Sequence, residues 1–303
     1  MSAPSTRNRA TFVGFAAVIL WALLALLTDG TRPVPPFQLN AMTFAIGGLV
    51  GLGWIAATGT WAELRTVPLR VYLLGTAGLF GYHALYFSAL RLAPVAEASL
   101  IAYLWPLLIV LFSGLLPGER LSLLHVLGAS IAFAGAAMIV AAGTSSPTAG
   151  ALPGYGLAFL CALTWAIYSV GSRRFGAVST ASVAVFCLAT AALSLPAHLL
   201  FETTTWPAAG AGWVSIVLLG AGPVGLAFYV WDIGMKKGDI QFLGVASYAA
   251  PLLSTLALVM GGKATASLGL GLAAALIAMG AALATWASAR ARRRQKISGL
   301  RPG

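Results

Sequence analysis

The chain has 303 residues, of which 59% are hydrophobic and only 8% are charged. A soluble domain carries about a quarter charged residues, so this composition excludes a soluble globular protein and predicts one that is surrounded mostly by lipid. The net charge of +11 does not indicate nucleic-acid binding, because six of the eighteen cations lie in the C-terminal tail and the others are scattered between apolar segments.

Apolar segments of membrane-spanning length follow one another along the whole chain. A helix that crosses a hydrocarbon core of about 30 Å needs about 20 residues. The sequence therefore predicts an all-α polytopic membrane protein with ten transmembrane helices, at 10–28, 37–58, 69–91, 94–116, 121–142, 153–174, 180–200, 211–234, 240–261 and 266–289. The first segment is expected to be retained rather than cleaved as a signal peptide, since it can span the membrane by itself.

The short loops carry their positive charge on one side. With the N-terminus in the cytoplasm, the cytoplasmic segments hold fifteen Lys and Arg residues, against three in the outside loops. Positive charge marks the cytoplasmic side, so both termini are predicted to be cytoplasmic. Residues 1–9 would form an N-terminal tail, and residues 290–303 a basic C-terminal tail.

The two halves of the chain align with each other at an offset of 145 residues. This offset places Tyr103 on Tyr248, Pro106 on Pro251 and Gly135 on Gly280, and an offset of 144 pairs Trp21 with Trp165. We predict two five-helix repeats, at 10–142 and 153–289, joined by a linker at 143–152. Because five is odd, the repeats would have inverted topology, a recurring plan of secondary transporters.

Two paired stretches, Gly81 to Pro106 and Gly225 to Pro251, carry a resemblance to a known family. The chain resembles the drug/metabolite transporter superfamily in its EamA-type branch. Within that branch, the stretch GYHALYFSALRLAPVAEASLIAYLWPLLIVLFSGLLPGERL, which begins at Gly81, resembles the bacterial aromatic amino acid exporters. The second half departs from the pattern, since Ala264 stands where an equivalent of Glu119 would be. The resemblance implies export from a bacterial cytoplasm through the inner membrane.

Aromatic side chains near the middle of the predicted helices are the candidate substrate-binding residues. Tyrosines at that depth must hydrogen-bond to protein, a cavity or a ligand, and an ionisable residue inside a membrane is a functional candidate. The candidates are Tyr82, His83, Tyr86, Tyr103, Trp105, Trp165 and Tyr248. Mid-span prolines, at Pro106, Pro223 and Pro251, would shape the cavity or form a hinge. Hydrogen bonding between helices, and helix curvature for packing, are the alternative roles.

An uncharged aromatic pocket suits a planar or cationic ligand, which it holds by stacking and cation–π attraction. We predict alternating-access export of aromatic amino acids or similar ring-bearing solutes. Other small metabolites, cationic drugs and a channel are the alternatives. No carboxylate is predicted at mid-membrane, which favours facilitated transport over ion coupling. No motif indicates an enzyme, a metal site or a cofactor. The partners are a small-molecule substrate and the lipid bilayer, and a monomer is compatible with the sequence.

Overall fold

The computed structural model describes residues 4–141, 149–208, 210–260 and 267–298. The described chain is all-helical. Its first half contains α1 (Pro4–Trp21), α2 (Leu24–Asp29), α3 (Pro36–Thr58), α4 (Trp61–Arg65), α5 (Leu69–Leu92), α6 (Val95–Ala102), α7 (Trp105–Ser113) and α8 (Leu123–Ala141). Its second half contains α9 (Leu152–Arg174), α10 (Ser182–Phe201), α11 (Gly210–Ala221), α12 (Ala227–Lys237), α13 (Ile240–Ala246), α14 (Ala249–Met260) and α15 (Leu268–Ser298).

Eight helical stretches of the described residues are long and apolar enough to cross a membrane. They are Thr6–Asp29, Pro36–Thr58, Leu123–Val140, Leu152–Arg174, Ser182–Phe201, Gly210–Lys237, Ile240–Ala257 and Leu268–Ala291. The other two predicted segments are also helical. Helix α5 is long enough, but its tyrosines, histidine and glycines lower its hydropathy. The fourth segment is divided into α6 and α7. The count of ten spans therefore stays a prediction.

The predicted tails and linker fall partly outside the described residues. Residues 1–3 and 299–303, and most of the linker at 143–152, are not described. The rest of both tails is helical, because α1 begins at Pro4 and α15 continues to Ser298. Arg and Lys are good helix formers, so the basic residues after position 289 extend the last helix beyond its apolar part.

Several long helices are interrupted near their middle. Helices α6 and α7 are separated at Tyr103 and Leu104, and α13 and α14 at Ser247 and Tyr248. A π-helical turn, Gly222–Leu226, lies between α11 and α12. Each interruption is within three residues of Pro106, Pro223 or Pro251. Proline has no backbone N–H, so it cannot donate the hydrogen bond that a continuous helix needs. A further two-residue interruption, at Ala22 and Leu23, separates α1 from α2 without a proline.

Small residues let the helices pack closely across the two halves. A Cβ atom on Gly14 of α1 would lie 2.7 Å from the Cα of Gly234 in α12. In the α8–α15 pair, a Cβ on Gly128 would lie 2.7 Å from the carbonyl oxygen of Gly280, and one on Gly135 would lie 2.8 Å from that of Ala273. Such close backbone approach is typical of membrane helices. It accounts for part of the high glycine content.

Candidate substrate site

Four tryptophans from four different helices meet in the centre of the molecule. They are Trp21 of α1, Trp105 of α7, Trp165 of α9 and Trp231 of α12. All six distances between their ring centroids lie between 5.0 and 6.4 Å. Four of the six pairs are edge-to-face, an arrangement favoured by the aromatic quadrupole. We call these four residues the tryptophan cluster.

A second group of rings from α5 lies beside the tryptophan cluster. The Tyr82 ring is 5.3 Å from that of Trp165, and it is stacked on the Tyr86 ring at 6.1 Å. His83 lies 5.2 Å from Tyr82 and 5.0 Å from Phe44 of α3, measured between ring centroids. Tyr82, His83 and Tyr86 are neighbours within about one turn of α5. We call these three residues the α5 wall.

Burial differs sharply between the two groups. Trp105 and Trp165 are 7% and 3% exposed, and Trp231 is fully buried. All eight residues from Gly81 to Ser88, which include the α5 wall, are only half-buried, as is Tyr103. Three of the four tryptophans are therefore buried, whereas Trp21 is half-buried like the α5 wall. The α5 wall and Tyr103 form the more accessible side of the site.

The indole N–H groups of the four tryptophans differ in whether they have a hydrogen-bond acceptor. The indole N–H of Trp21 donates to the Pro223 carbonyl at 3.1 Å, and that of Trp231 to the Ser169 hydroxyl at 3.1 Å. Among the described residues, the N–H groups of Trp105 and Trp165 have no acceptor, and neither nitrogen is sealed from solvent. Both can therefore donate to a ligand.

The other polar groups of the site are the tyrosine hydroxyls and the imidazole of His83. The Tyr86 hydroxyl is hydrogen-bonded to Ser99 at 2.8 Å. His83 Nδ1 lies 2.7 Å from the carbonyl oxygen of Leu79, one turn earlier in α5. Within the described part of the chain, His83 Nε2 and the Tyr103 hydroxyl have no hydrogen-bond partner.

Tyr248 lies apart from these two groups. It is fully buried, its ring is 5.8 Å from that of Phe133, and its hydroxyl accepts a hydrogen bond from the Leu107 amide at 3.1 Å. This contact places Tyr248 against the start of α7, just after the interruption at Tyr103. The structure thus gives Tyr248 a packing and hydrogen-bonding position between α13 and α7. Its predicted contact with substrate stays a prediction.

The three candidate prolines take different positions around the site. Pro106 is buried next to Trp105 at the start of α7. Pro223 is buried in the π-helical turn, and its carbonyl holds Trp21. Pro251 is buried in the first turn of α14, close to Tyr248. Pro106 and Pro223 therefore directly position members of the tryptophan cluster.

On one side of the tryptophan cluster lies a layer of apolar side chains, and beyond this layer lies a network of ion pairs. The apolar layer consists of fully buried residues of α7, α12 and α13: Ile109, Met235, Ile240 and Leu243. Beyond them, Glu119 forms ion pairs with Arg7 at 3.3 Å and with Arg173. Arg173 also donates to the carbonyl oxygens of Met235 at 3.1 Å and of Gly238 at 2.9 Å. We call Arg7, Glu119, Arg173 and Asp239 the lower network.

A different polar junction lies at the opposite end. The buried Glu202 carboxylate accepts from the backbone amides of Phe37 and Gln38, at 2.9 and 3.1 Å. It also pairs with Arg91 at 3.0 Å, at the end of α5. This junction joins the start of α3 to the ends of α5 and α10. It is adjacent to the half-buried side of the site.

Asp232 follows Trp231 directly but does not join the tryptophan cluster. Its side chain is 1% exposed, and Oδ2 accepts from Lys236 Nζ at 2.8 Å and from Thr180 at 2.7 Å. Lys236, itself 2% exposed, also donates to the Val178 carbonyl at 3.0 Å. The only buried acid on α12 is therefore neutralised by a cation one turn away. No group of three or more metal-ligating side chains occurs among the residues that the structure describes.

Four aromatic residues of the site were not among the predicted ones: Trp21, Phe44, Phe228 and Trp231. Phe228 stacks on Phe44 at 5.4 Å and lies 5.7 Å from Trp165. One signal could have found Trp21, since the repeat alignment pairs it with Trp165. Phe44 lies on α3, whose apolar residues are spread around the helix, so the sequence does not indicate its inward face. On α12, Phe228 lies one turn before Asp232, a charged residue inside an apolar helix, and this neighbour was a second signal.

Comparison with known proteins identifies a family and similar proteins. The sequence model of the EamA-like transporter family matches residues 8–141 and again residues 152–286. The chain is 55% identical to the "Aromatic amino acid exporter YddG" of Ancylobacter novellus, over 92% of this chain and 98% of that protein. It is 27% identical to the protein of the same name from Escherichia coli K12, over 82% of this chain and 87% of that protein.

A solved crystal structure is similar as well, with a TM-score of 0.88 and 55% identity over 92% of this chain and 98% of that chain. The matches cover both halves of the chain, and its long apolar helices are those of a multi-pass membrane protein. The chain belongs to the EamA-like transporter family.

Proposed function

We propose that the protein exports aromatic amino acids, or related small ring-bearing solutes, across a bacterial inner membrane by alternating access. The observation that carries this proposal is the tryptophan cluster, three of whose four members are buried, beside the half-buried α5 wall. Relatives at 55% and 27% identity that are named aromatic amino acid exporters support the same substrate class.

Ring-bearing cargo fits the composition of the site. Aromatic faces hold a planar ring by stacking and an ammonium group by cation–π attraction, at about 0.5–2 kcal/mol per contact. Among the described residues, no Arg or Lys side chain contacts the tryptophan cluster. A site without fixed cations is poorly suited to phosphate esters or nucleotide sugars.

Ten spans in two inverted repeats remain part of the proposal, and the helix contacts support them. The contact of Gly128 with Gly280, shifted by the repeat offset of 145, becomes a contact of Ala273 with Gly135, and that contact is present. The interruptions at Tyr103 and Tyr248 are related by the same offset. Two halves related in this way can open alternately to either side of the membrane.

The contacts at the two ends of the molecule support an outward-facing state of the alternating-access cycle. With both termini in the cytoplasm, as the charge distribution predicts, the lower network closes the cytoplasmic side and the half-buried wall faces outward. Transport is proposed to be facilitated, since the buried Asp232 is already paired with Lys236. Acidifying the outside of substrate-loaded proteoliposomes, without a membrane potential, should leave the initial rate unchanged. A several-fold change would contradict facilitated transport.

The substrate class is tested by uptake of labelled tryptophan, phenylalanine, leucine and threonine into proteoliposomes. We expect the two aromatic amino acids to be transported fastest, and transport to be lost in Trp105→Ala and in Trp165→Ala. The control is Trp206→Ala, because Trp206 is exposed and, among the described residues, its ring stacks on Trp213 alone. Preferred transport of leucine and threonine, or full activity of both cluster variants, would refute the proposal.

A further inference from the structure

The polar groups of the site differ in whether they can accept or donate a hydrogen bond to a ligand. A carbonyl oxygen only accepts hydrogen bonds, so the 2.7 Å contact between His83 Nδ1 and the Leu79 carbonyl places the imidazole hydrogen on Nδ1. In a neutral imidazole with that tautomer, Nε2 is an acceptor. No acid among the described residues is hydrogen-bonded or ion-paired to His83 to favour its charged form.

The remaining free groups can all donate. An indole N–H can only donate, and those of Trp105 and Trp165 lack acceptors within the described chain and are not sealed from solvent. The Tyr103 hydroxyl, which is also free there, can donate as well. The N–H groups of Trp21 and Trp231 already donate hydrogen bonds, to Pro223 and Ser169.

The acceptor and one of the donors border the same two rings. His83 and Trp165 are 5.2 and 5.3 Å from the Tyr82 ring, and both also lie near Phe228, at 6.4 and 5.7 Å. The two residues do not contact each other. The ammonium and the carboxylate of an amino acid are attached to one carbon, so groups placed in this way can engage both at once.

On the basis of the proposed function, we infer that the site recognises the two ends of an amino acid with different residues. His83 Nε2 accepts a hydrogen bond from the α-ammonium group. The indole N–H groups of Trp105 and Trp165, with the Tyr103 hydroxyl, donate to the α-carboxylate. The ligand class is therefore a zwitterionic α-amino acid, rather than any aromatic solute.

Three ligands that share a phenyl ring separate these roles: phenylalanine, phenethylamine, which lacks the carboxylate, and 3-phenylpropionate, which lacks the ammonium. Their binding to purified protein is measured by competition against labelled phenylalanine. We expect His83→Leu to weaken phenylalanine and phenethylamine about tenfold and to leave 3-phenylpropionate unchanged, because one charge-assisted hydrogen bond is lost. His83→Gln, which retains an acceptor, should recover part of the affinity.

The matched variants on the other side are Trp105→Phe and Trp165→Phe, which keep a ring but remove the N–H. They should weaken phenylalanine and 3-phenylpropionate about tenfold and leave phenethylamine unchanged. The reverse pattern, or equal loss of both analogues in every variant, would overturn the assignment. If the wild-type protein neither binds nor transports phenylalanine, the proposed function fails first, and the inference fails with it.

Discussion

Trp21 connects the tryptophan cluster to the π-helical turn. Its ring contacts the other three tryptophans, and its N–H donates to the Pro223 carbonyl at 3.1 Å. A π-turn leaves backbone carbonyls without their usual α-helical partner, so this hydrogen bond links the shape of the turn to the position of the cluster. Trp21, the half-buried member of the cluster, is therefore placed to control the geometry of the site.

We expect Trp21→Phe to lower the initial rate of phenylalanine uptake about tenfold. The variant loses the hydrogen bond to Pro223 and part of the ring contact, and each tenfold change corresponds to about 1.4 kcal/mol. The control is Trp286→Phe, because Trp286 is exposed on α15. Uptake by Trp21→Phe at the wild-type rate would show that the link to the π-turn has no role in transport.

The sequence predicted some of these residues for a physical reason. Trp105, Trp165, Tyr82 and His83 could be selected because aromatic or ionisable groups at mid-span need partners. Phe44 could not be selected, because an apolar ring in an apolar helix is equally suited to lipid and to protein. Which face of such a helix points inward is decided by the packing of helices that are distant in sequence.

At the scale of helices, glycine contacts determine how closely α1 and α12 approach. A methyl group on Gly14 would come within 2.7 Å of the Gly234 backbone, which has no flexible side chain that could move aside. Sequence analysis predicted the helices themselves from hydropathy. It did not predict this crossing, since Gly is common throughout the chain and only the structure identifies its partner.

Gly14→Ala is therefore expected to lower the melting temperature in detergent, by an overpacking cost of about 1–3 kcal/mol. The matched control is Gly53→Ala in α3, where a Cβ would meet nothing within 4 Å. Alanine is favoured over glycine in a helix by about 1 kcal/mol, so the control should melt at the same or a higher temperature. A Gly14 variant that is as stable as the control would exclude tight packing at this crossing.

The Asp232–Lys236 pair holds α12 to the turn between α9 and α10. Since both side chains are buried, removing one charge leaves the other without compensation. We expect Asp232→Asn to destabilise the protein by about 3–5 kcal/mol, and the double variant Asp232→Leu, Lys236→Met to be less affected. Thermal unfolding in detergent measures both. The exposed pair of Asp29 and Arg32 is the control, and Asp29→Asn should have no effect. If Asp232→Asn unfolds as the wild type does, the pair does not stabilise α12.

For the whole molecule, the two polar junctions lie at opposite ends of the tryptophan cluster. The Glu202 junction joins α3, α5 and α10, whereas the lower network joins the N-terminal turn of α1 to the end of α9 and the start of α13. The 145-residue offset predicts two related halves, and the family model matches each half once. The junctions were not predictable from this offset, because their acids come from unrelated positions in the two halves and Glu119 has no counterpart in the second half.

If the cytoplasmic side opens by separating the lower network, weakening that network should increase access from the cytoplasm. Glu119→Gln leaves Arg7 and Arg173 without the carboxylate that joins them. Access is measured at Ser113→Cys, a fully buried position at the end of α7, after Cys161 and Cys187 have been replaced by alanine. A membrane-impermeant thiol reagent is added separately to each side of oriented vesicles.

We expect Glu119→Gln to increase labelling from the cytoplasmic side several-fold, because a shift of 1 kcal/mol in the equilibrium between the two states changes their ratio about fivefold. The control is Glu63→Gln, since Glu63 is exposed and has no ion pair among the described residues. Unchanged labelling would show that the lower network stabilises the fold without acting as a gate. Increased labelling from the outer side alone would instead refute the predicted orientation, because the lower network would then lie outside the cell.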